Sequence, residues 1–483
     1  MEKQRVFVKI KNFKSLADIE VELKPLTFLF GSNAAGKSSF INAFKFFGNY
    51  ISRVINPNAN WDPFSSYSEL AFKIDEYTDL GSYKEMVANN DTSKQIEFEI
   101  IVKNCCSNYY QNGVPKSLKS KTPKPRYFDF NVKFVFRDAR SDVGLLKSIT
   151  ISDFIENLSY SYWQIKEYNE NEPPHYEPTI TTLNSEEEHP LNSIFEKIGF
   201  TPAFNKNIKD SNLDNYMDYI KKRMPMLNSG ISYSKKRLLT LFERIFILIP
   251  EAVHEIFSNP LHVPSLRSLP EKSYPLFNNR FDLWSYYNLL RLLDEDKKLD
   301  MDGKDFLQRI NIYLLNSFKF DEIIEIKKET LAGYIVVKNR ITETEYNLAN
   351  TSSGLLQLLP IIGLINREFV YKLFFCEQPE LHLHPKLQTK LAEFFTLDEF
   401  KDKYKVIETH SEHIITKIQV LIAQGKLNKE DVAVYYFDKK EGKTKIKEMK
   451  LSERGLFIDD WPHGFFDEDT KLFSELFSAI HKN

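Results

Sequence analysis

The stretch Gly31-Ser32-Asn33-Ala34-Ala35-Gly36-Lys37-Ser38 constrains this chain more than any other. Its spacing, G-x-x-x-x-G-K-S, is that of a loop that wraps a phosphate group. Glycine leaves no Cβ between the backbone N–H groups and the anion. A helix that starts directly after the loop aims its positive end at the same place. The flanks supply that setting. Leu26 to Phe30 is a short apolar run, as in a strand buried on both faces, and Ser38 to Phe47 has the apolar, aromatic stripe of a helix. In such a loop Lys37 reaches the β- and γ-phosphate oxygens, and the Ser38 hydroxyl is a Mg²⁺ ligand. Gly31 through Lys37, with Ser38 and Ser39, are therefore the candidate nucleotide-binding residues.

The remaining pattern alternates between strand and helix. Val6, Val8 and Ile10 alternate with Phe7, Lys9 and Lys11, and Ile19, Val21 and Leu23 repeat the period of two. Gln95 to Val102 and Phe128 to Phe136 read as two further strands. Between them, Val114 to Arg126 is a basic, proline-containing loop. Residues 165 to 190 are acidic and proline-containing and read as a linker or long loop. From 191 to 318 the pattern reads as helical. Strand signals return at Ile323–Ile326 and Tyr334–Val337, then Leu373–Cys376, Tyr404–Glu408 and a hairpin turned at Lys440-Glu441-Gly442. Helices are expected at 354–366, 386–395 and 413–423.

Three more motifs bear on chemistry. Leu373 to Cys376 is an apolar strand that ends on Glu377, which would deliver a carboxylate to a Mg²⁺ shell. It is followed by Gln378-Pro-Glu380-Leu-His382-Leu-His384-Pro385. Ser352-Ser353-Gly354-Leu-Leu-Gln357 opens an apolar helix, which makes either a second anion site or an ordinary helix cap. His410 directly follows the buried strand Tyr404–Glu408, at the strand end where open α/β sheets hold ligands.

The order of these pieces resembles the ABC-type AAA ATPases that include RecF-like and SMC-like proteins and the OLD-family nucleases. The resemblance covers roughly residues 1–50 and 345–415. It implies an α/β fold: a P-loop ATPase head built from both chain ends around a mostly helical insertion. It implies ATP and Mg²⁺ as cofactors, with Ser38 and Glu377 on the metal. It makes Ser352, Ser353, Gly354 and Gln357 the ABC signature, which binds the γ-phosphate of ATP held by a second subunit, so a homo-oligomer is expected. Lys37, Glu377, Gln378 and His410 become the catalytic candidates. The tail, with Ser411-Glu-His413, Gly425 to Phe437 and Trp461-Pro-His-Gly, resembles the C-terminal domain of a bacterial ATPase family without assigned function. Septu-type anti-phage defence ATPases are similar in layout, and those work beside a separate nuclease or toxin. The expectation is thus an ATP-dependent sensor or scaffold that controls a partner effector. A DNA-repair ATPase acting directly on DNA is the alternative, and an OLD-like nuclease a further one.

Composition narrows the field. Net charge is −2, so any contact with nucleic acid must come from a local patch. Cys105, Cys106 and Cys376 show no disulfide or zinc spacing, which fits a reducing cytoplasm. The longest apolar stretch, Gly354 to Ile365, is too short to span a bilayer. The division expected is an N-terminal lobe at 1–165, a linker and helical insertion at 166–320, a C-terminal lobe at 321–425 and an extension at 426–483. One departure from the family pattern concerns chemistry. Many relatives carry a second acid after the Mg²⁺-binding one to activate water, and this chain has Gln378, which cannot accept a proton.

Overall fold

A computed structural model describes residues 3–54, 79–106, 127–140, 143–154, 158–164, 176–182, 248–267, 269–275, 305–330, 332–367, 372–462 and 468–480. The chain folds as two compact units. The first takes Met1–Leu23, Ser38–Pro260 and Lys440–Lys445, and the second takes Lys24–Lys37, Leu261–Lys439 and Ile446–Asn483.

The first unit is built on an antiparallel sheet. Its strands are β1 (Arg5–Phe13), β2 (Leu16–Leu23), β4 (Ile96–Cys106), β5 (Tyr127–Arg140), β6 (Val143–Asp153), β7 (Leu158–Gln164) and β8 (Tyr176–Thr182), in the order β2-β1-β4-β5-β6-β7-β8. Period-two alternation buries Val6, Val8 and Ile10 of β1 while Arg5, Lys9 and Lys11 stay accessible. Helix α1 (Lys37–Val54) lays an aromatic face on this sheet. Phe40, Phe44, Phe47 and Tyr50 recur at intervals of three or four and are all buried. Phe47 stacks on Phe98 with ring centroids 4.6 Å apart, and it meets Phe134 edge-on at 5.0 Å. Contacts of this kind add to the area term of burial, which is about 1.5–3 kcal/mol for each such side chain.

The second unit holds a parallel sheet. Strands β16 (Val432–Lys440), β3 (Leu26–Gly31), β15 (Tyr404–Glu408), β14 (Leu373–Glu377) and β9 (Leu261–Val263) lie side by side in that order, with β17 (Lys443–Glu448) beyond β16. Every residue of β3 and of β15 is buried, as a parallel sheet covered on both faces requires. Register places Glu408 beside both Leu29 and Glu377, so the carboxyl ends of β3, β15 and β14 fall at one edge. Helices α5 (Ser353–Ile365), α6 (Pro385–Phe395) and α7 (Glu412–Ala423) contribute to one apolar core with these strands. Ser411 caps α7, its Oγ accepting from the Ile414 N–H at 3.1 Å. His384 caps α6 through Nδ1 and the Lys386 N–H, so of the two alternating histidines it has a local structural task. A second, antiparallel sheet is formed by β10 (Tyr274–Pro275), β12 (Ala332–Asn339) and β11 (Glu322–Lys328), with β13 (Glu345–Asn347) paired to β12.

The strands and helices expected around the loop, signature and tail are all present. The hairpin turns where expected, with Glu441 and Gly442 both at positive φ. Differences lie in the middle of the chain. Residues 176–182 form β8 inside the stretch expected to be linker; its β-branched Thr-Ile-Thr-Thr run was outweighed by the acidic and proline-rich flanks. Strands β6 and β7 were not anticipated. The stretch expected to be helical has a helix, α3 (Ile249–Phe257), and another, α4 (Phe306–Ile312), but also β9, which completes the parallel sheet. Most of that stretch, the basic loop at 114–126 and Asp467 lie outside the described residues. Glu468 and Asp469 open the terminal helix α8 (Glu468–Ile480).

Candidate functional site

The loop leaves β3 at Gly31, whose φ is +140°. A Cβ there would sit 2.2 Å from the carbonyl oxygen of Phe437 on β16, so only glycine lets the two strands close up at this point. Ser32, Asn33 and Ala34 are exposed, while Ala35, Gly36 and Lys37 are buried. The Ala35 N–H donates to the Ser32 carbonyl. Helix α1 starts at Lys37, with Ser38 and Ser39 in its first turn. The loop is thus a run of backbone between the end of a buried strand and the head of an 18-residue helix, the local geometry an anionic phosphate requires.

Lys37 is only 4% exposed. Its ammonium donates to the carbonyls of Gly31 and Ser32, both at 2.9 Å, and stands 3.6 Å from Glu408 Oε1. Burial pulls the Lys37 pKa down, and the Glu408 charge opposes that shift. Burial pushes Glu408 up to about 7 against the pull of Lys37. Its Oε2 is buried and makes no hydrogen bond.

Glu377 ends β14, and its Oε1 accepts from His262 Nε2 at 2.9 Å. His262 lies on β9, beside Phe375 in register. A carboxylate fixed this way by an imidazole keeps oxygen lone pairs for a hard cation. The next residue, Gln378, takes the left-handed conformation with φ +41°, and its N–H donates to the Glu408 carbonyl at 2.7 Å. A non-glycine residue held there stores about 1–3 kcal/mol of strain that the surroundings must enforce. Arg267 is part of that enforcement. Its guanidinium donates to the carbonyls of Glu377 at 3.0 Å and Gln378 at 3.3 Å, and to the Gln357 side chain. It therefore ties α5 to the turn after β14.

Glu380 uses both oxygens on the loop after β15. Oε2 accepts from the Thr409 hydroxyl at 2.7 Å, and Oε1 accepts from the His410 N–H at 2.8 Å. Its carboxyl thus positions His410 and has no oxygen left over for other work. His410 itself is exposed, and burial of its surroundings followed by the Lys37 charge lowers its pKa, which favours the neutral imidazole. Ser352 and Ser353 are exposed at the head of α5, and the Ser352 side chain makes no cap bond. Gly354 has room: an added Cβ would meet Leu383 and Leu387 at 3.8 Å, ordinary contact.

The fold brings Lys37, Glu377, Gln378 and His410 to one edge of the parallel sheet, together with Glu380, Glu408, His262 and Arg267. Of these last four, Glu408, His262 and Arg267 had no chemical assignment in the sequence. Glu408 carried a legible signal, because it is an acid ending an apolar strand, the same pattern that singled out Glu377. His262 and Arg267 lie on and just after a three-residue strand, too short to show a period.

A family model described as an AAA ATPase domain matches residues 6–415. The chain belongs to that family. It is an AAA-family ATPase, and its parallel sheet draws strands from both ends of the chain. A second model, described as a protein of unknown function (DUF3696), matches residues 427–476. No curated protein sequence matches the chain. Among solved structures the ATPase is similar to an SMC head bound to the C-winged helix domain of ScpA, with 11% identity over 92% of this chain and 98% of that one, at a TM-score of 0.37. It is also similar to the SMC head domain from Thermotoga maritima, with 10% identity over 92% and 98% of the two chains and a TM-score of 0.33. The Smc head with an extended coiled coil bound to the C-terminal domain of ScpA from Pyrococcus furiosus matches at 10% identity over 98% and 100%, with a TM-score of 0.35. Among the described residues no helix is long and apolar enough to cross a membrane.

Proposed function

We propose that this ATPase is an ATP-held clamp: two copies close around nucleotide and thereby control a separate effector, a nuclease in anti-phage defence. The observation that carries the reading is the outward-facing signature. Ser352 and Ser353 stand exposed at the N-terminal end of a 13-residue helix, where N–H groups and hydroxyls can receive a phosphate presented by another copy. The tail resemblance to defence ATPases supports the effector part.

The residues present suit Mg²⁺–ATP. The loop from Gly31 to Ser39 supplies N–H groups and Lys37, while Ser38 and Glu377 are hard oxygen donors of the kind Mg²⁺ takes. Bound with ATP, Mg²⁺ would neutralise charge on the β- and γ-phosphates. Lys37 would add its own charge there, leaving the Gly31 and Ser32 carbonyls for phosphate oxygens. Gln378 would orient water without accepting its proton, which makes turnover slow and lets the closed state persist.

Light scattering with and without Mg²⁺–ATP tests the clamp. The unmodified protein is expected to assemble on ATP. Lys37→Ala should lose ATP binding and assembly together. Gly354→Asp should keep ATP binding and lose assembly, because a carboxylate would face the incoming γ-phosphate in a desolvated contact. A Cβ at Gly354 meets only ordinary contacts within its own fold, and retained ATP binding in the variant checks that it is folded. A protein that stays monomeric with ATP saturated contradicts the clamp.

A further inference from the structure

ATP hydrolysis needs a group to take the proton of the attacking water, and Gln378 cannot be that group. Among the described residues, three acids surround the loop edge in the second unit. Glu377 is engaged with His262, 2.9 Å away, and is the residue the Mg²⁺ reading requires. Glu380 has both oxygens committed, one to the Thr409 hydroxyl and one to the His410 N–H. Glu408 differs from both. It ends β15, the strand between the loop strand β3 and the Glu377 strand β14. Its side chain is 8% exposed, Oε1 faces Lys37 at 3.6 Å, and Oε2 is buried without a hydrogen bond.

A buried carboxylate oxygen without a donor is costly, on the order of 1–3 kcal/mol for the missing bond. A chain that keeps one on the carboxylate that faces Lys37 holds an unused lone pair beside the proposed nucleotide loop. The simplest alternative is that Glu408 only balances the charge of Lys37. That role needs one oxygen and leaves the second unexplained.

We infer that Glu408 is the second acid of this ATPase: the carboxylate that accepts the proton of the attacking water, in the place of the glutamate that Gln378 replaces. In that step an O–H bond of water breaks and its proton passes to the Glu408 carboxylate. The water oxygen bonds to the γ-phosphorus, and the bond from that phosphorus to the β,γ-bridging oxygen breaks, so ADP leaves with the electron pair. The assignment rests on the reading of Gly31–Ser39 as the ATP loop, and it holds whether or not two copies close around the nucleotide.

The test uses the full chain and separates binding from turnover. ATP affinity is measured by calorimetry in the presence of Mg²⁺, and phosphate release is followed in a single turnover. Glu408→Gln should keep the ATP dissociation constant within about threefold and slow phosphate release by about 100-fold, the lower range for a lost general base. Adding Gln378→Glu to Glu408→Gln should restore at least about tenfold of that rate, because an acid then stands at the neighbouring strand end. Glu408→Asp keeps the charge next to Lys37 and draws the carboxylate back by one methylene. It should likewise bind ATP and turn over slowly, and it serves if the glutamine variant does not fold. Phosphate release in Glu408→Gln within about threefold of the unmodified protein overturns the inference. So does an affinity that falls as far as the rate, which would make Glu408 a keeper of Lys37, and so does a loss of turnover confined to His410→Ala. Failure of the clamp itself would appear elsewhere, in the light scattering of the unmodified protein.

Discussion

Lys9 and Glu20 stand 3.4 Å apart across β1 and β2, and Lys37 and Glu408 stand 3.6 Å apart at the ends of the loop and of β15. The distances nearly agree, and the surroundings do not. The first pair has side chains 31% and 55% exposed, and the second 5% and 8%. On the antiparallel sheet the ion pairs form an outer ladder, with Lys11–Asp18 in register beside Lys9–Glu20 and Arg5 reaching diagonally to Glu22, the register partner of Phe7. Water reaches these pairs, and little is lost if one opens. On the parallel sheet the pair is withdrawn from water, each charge disfavours itself, and each needs the other or a ligand. The first unit keeps the charges of this ladder outside and packs an aromatic core beneath α1. The second buries charges at the edge where its strands end, and that is where an anionic nucleotide can replace one partner of a pair.

The largest effect expected from this contrast is on the aromatic core. Phe47→Ala removes a ring stacked on Phe98 and edge-on to Phe134, all fully buried. It should destabilise the protein by about 3–5 kcal/mol, read from denaturant unfolding. A loss under about 1 kcal/mol would mean that the aromatic face of α1 is not what holds the first unit together.

The middle effect has the opposite sign and depends on pH. Lys405 on β15 is 3% exposed, and burial first, then the Lys403 charge, lower its pKa to about 7 from an ordinary 10.5. Between those values the unfolded chain binds a proton that the folded chain does not. Stability must therefore rise with pH across that window, and the cost is full below about 7. Lys405→Met should stabilise the protein by about 1–3 kcal/mol near pH 7, with the gain shrinking as pH rises toward 10. Glu408 acts in the adjoining window. Its pKa is raised from 4.5 to about 7, so its contribution falls as pH rises from 4.5 to 7. Measuring midpoints between pH 7.5 and about 9.5 keeps the two apart. Burial also lowers Lys403 to about 8, so some slope should persist in the variant. A gain that does not shrink with pH would place the burial cost of Lys405 elsewhere.

The same contrast explains what the sequence made legible. Loop, signature, Glu377 and His410 each carry a local pattern, a fixed spacing or an apolar strand ending in a polar residue, so one stretch of chain is enough to see them. The antiparallel strands β1 and β2 show their period because one face meets water. What stayed hidden depends on pairing between distant segments. β9 is three residues long and becomes a strand only beside β14. Arg267 matters because it meets the carbonyls of Glu377 and Gln378 and the side chain of Gln357, some 90 to 111 residues away. Glu380 stands two residues beyond Gln378 as a further acid, and only the fold shows both its oxygens spent on Thr409 and His410. Between 165 and 190 composition misled: charge and proline in the flanks hid β8.

The smallest expected effect is on the pair that opened the comparison. Lys9 and Glu20 are direct cross-strand partners in the β1–β2 register, a geometry that contributes up to about 1 kcal/mol when the side chains are well held. Both are long and solvated, and ordering them costs entropy that the attraction in water barely offsets. Lys9→Ala, Glu20→Ala and the double variant form a cycle whose coupling should be below about 0.5 kcal/mol and should shrink further in high salt. ATP affinity should not change in any of the three, because neither residue belongs to the loop edge. The matching cycle of Lys37→Ala and Glu408→Gln, read on unfolding, should couple several times more strongly, since removing either partner strands a buried charge or a buried oxygen. Equal couplings would break the comparison. They would mean that water reaches the loop edge as freely as it reaches the outer ladder, and that the orphaned Glu408 oxygen is satisfied by solvent and is not held ready for a reacting water.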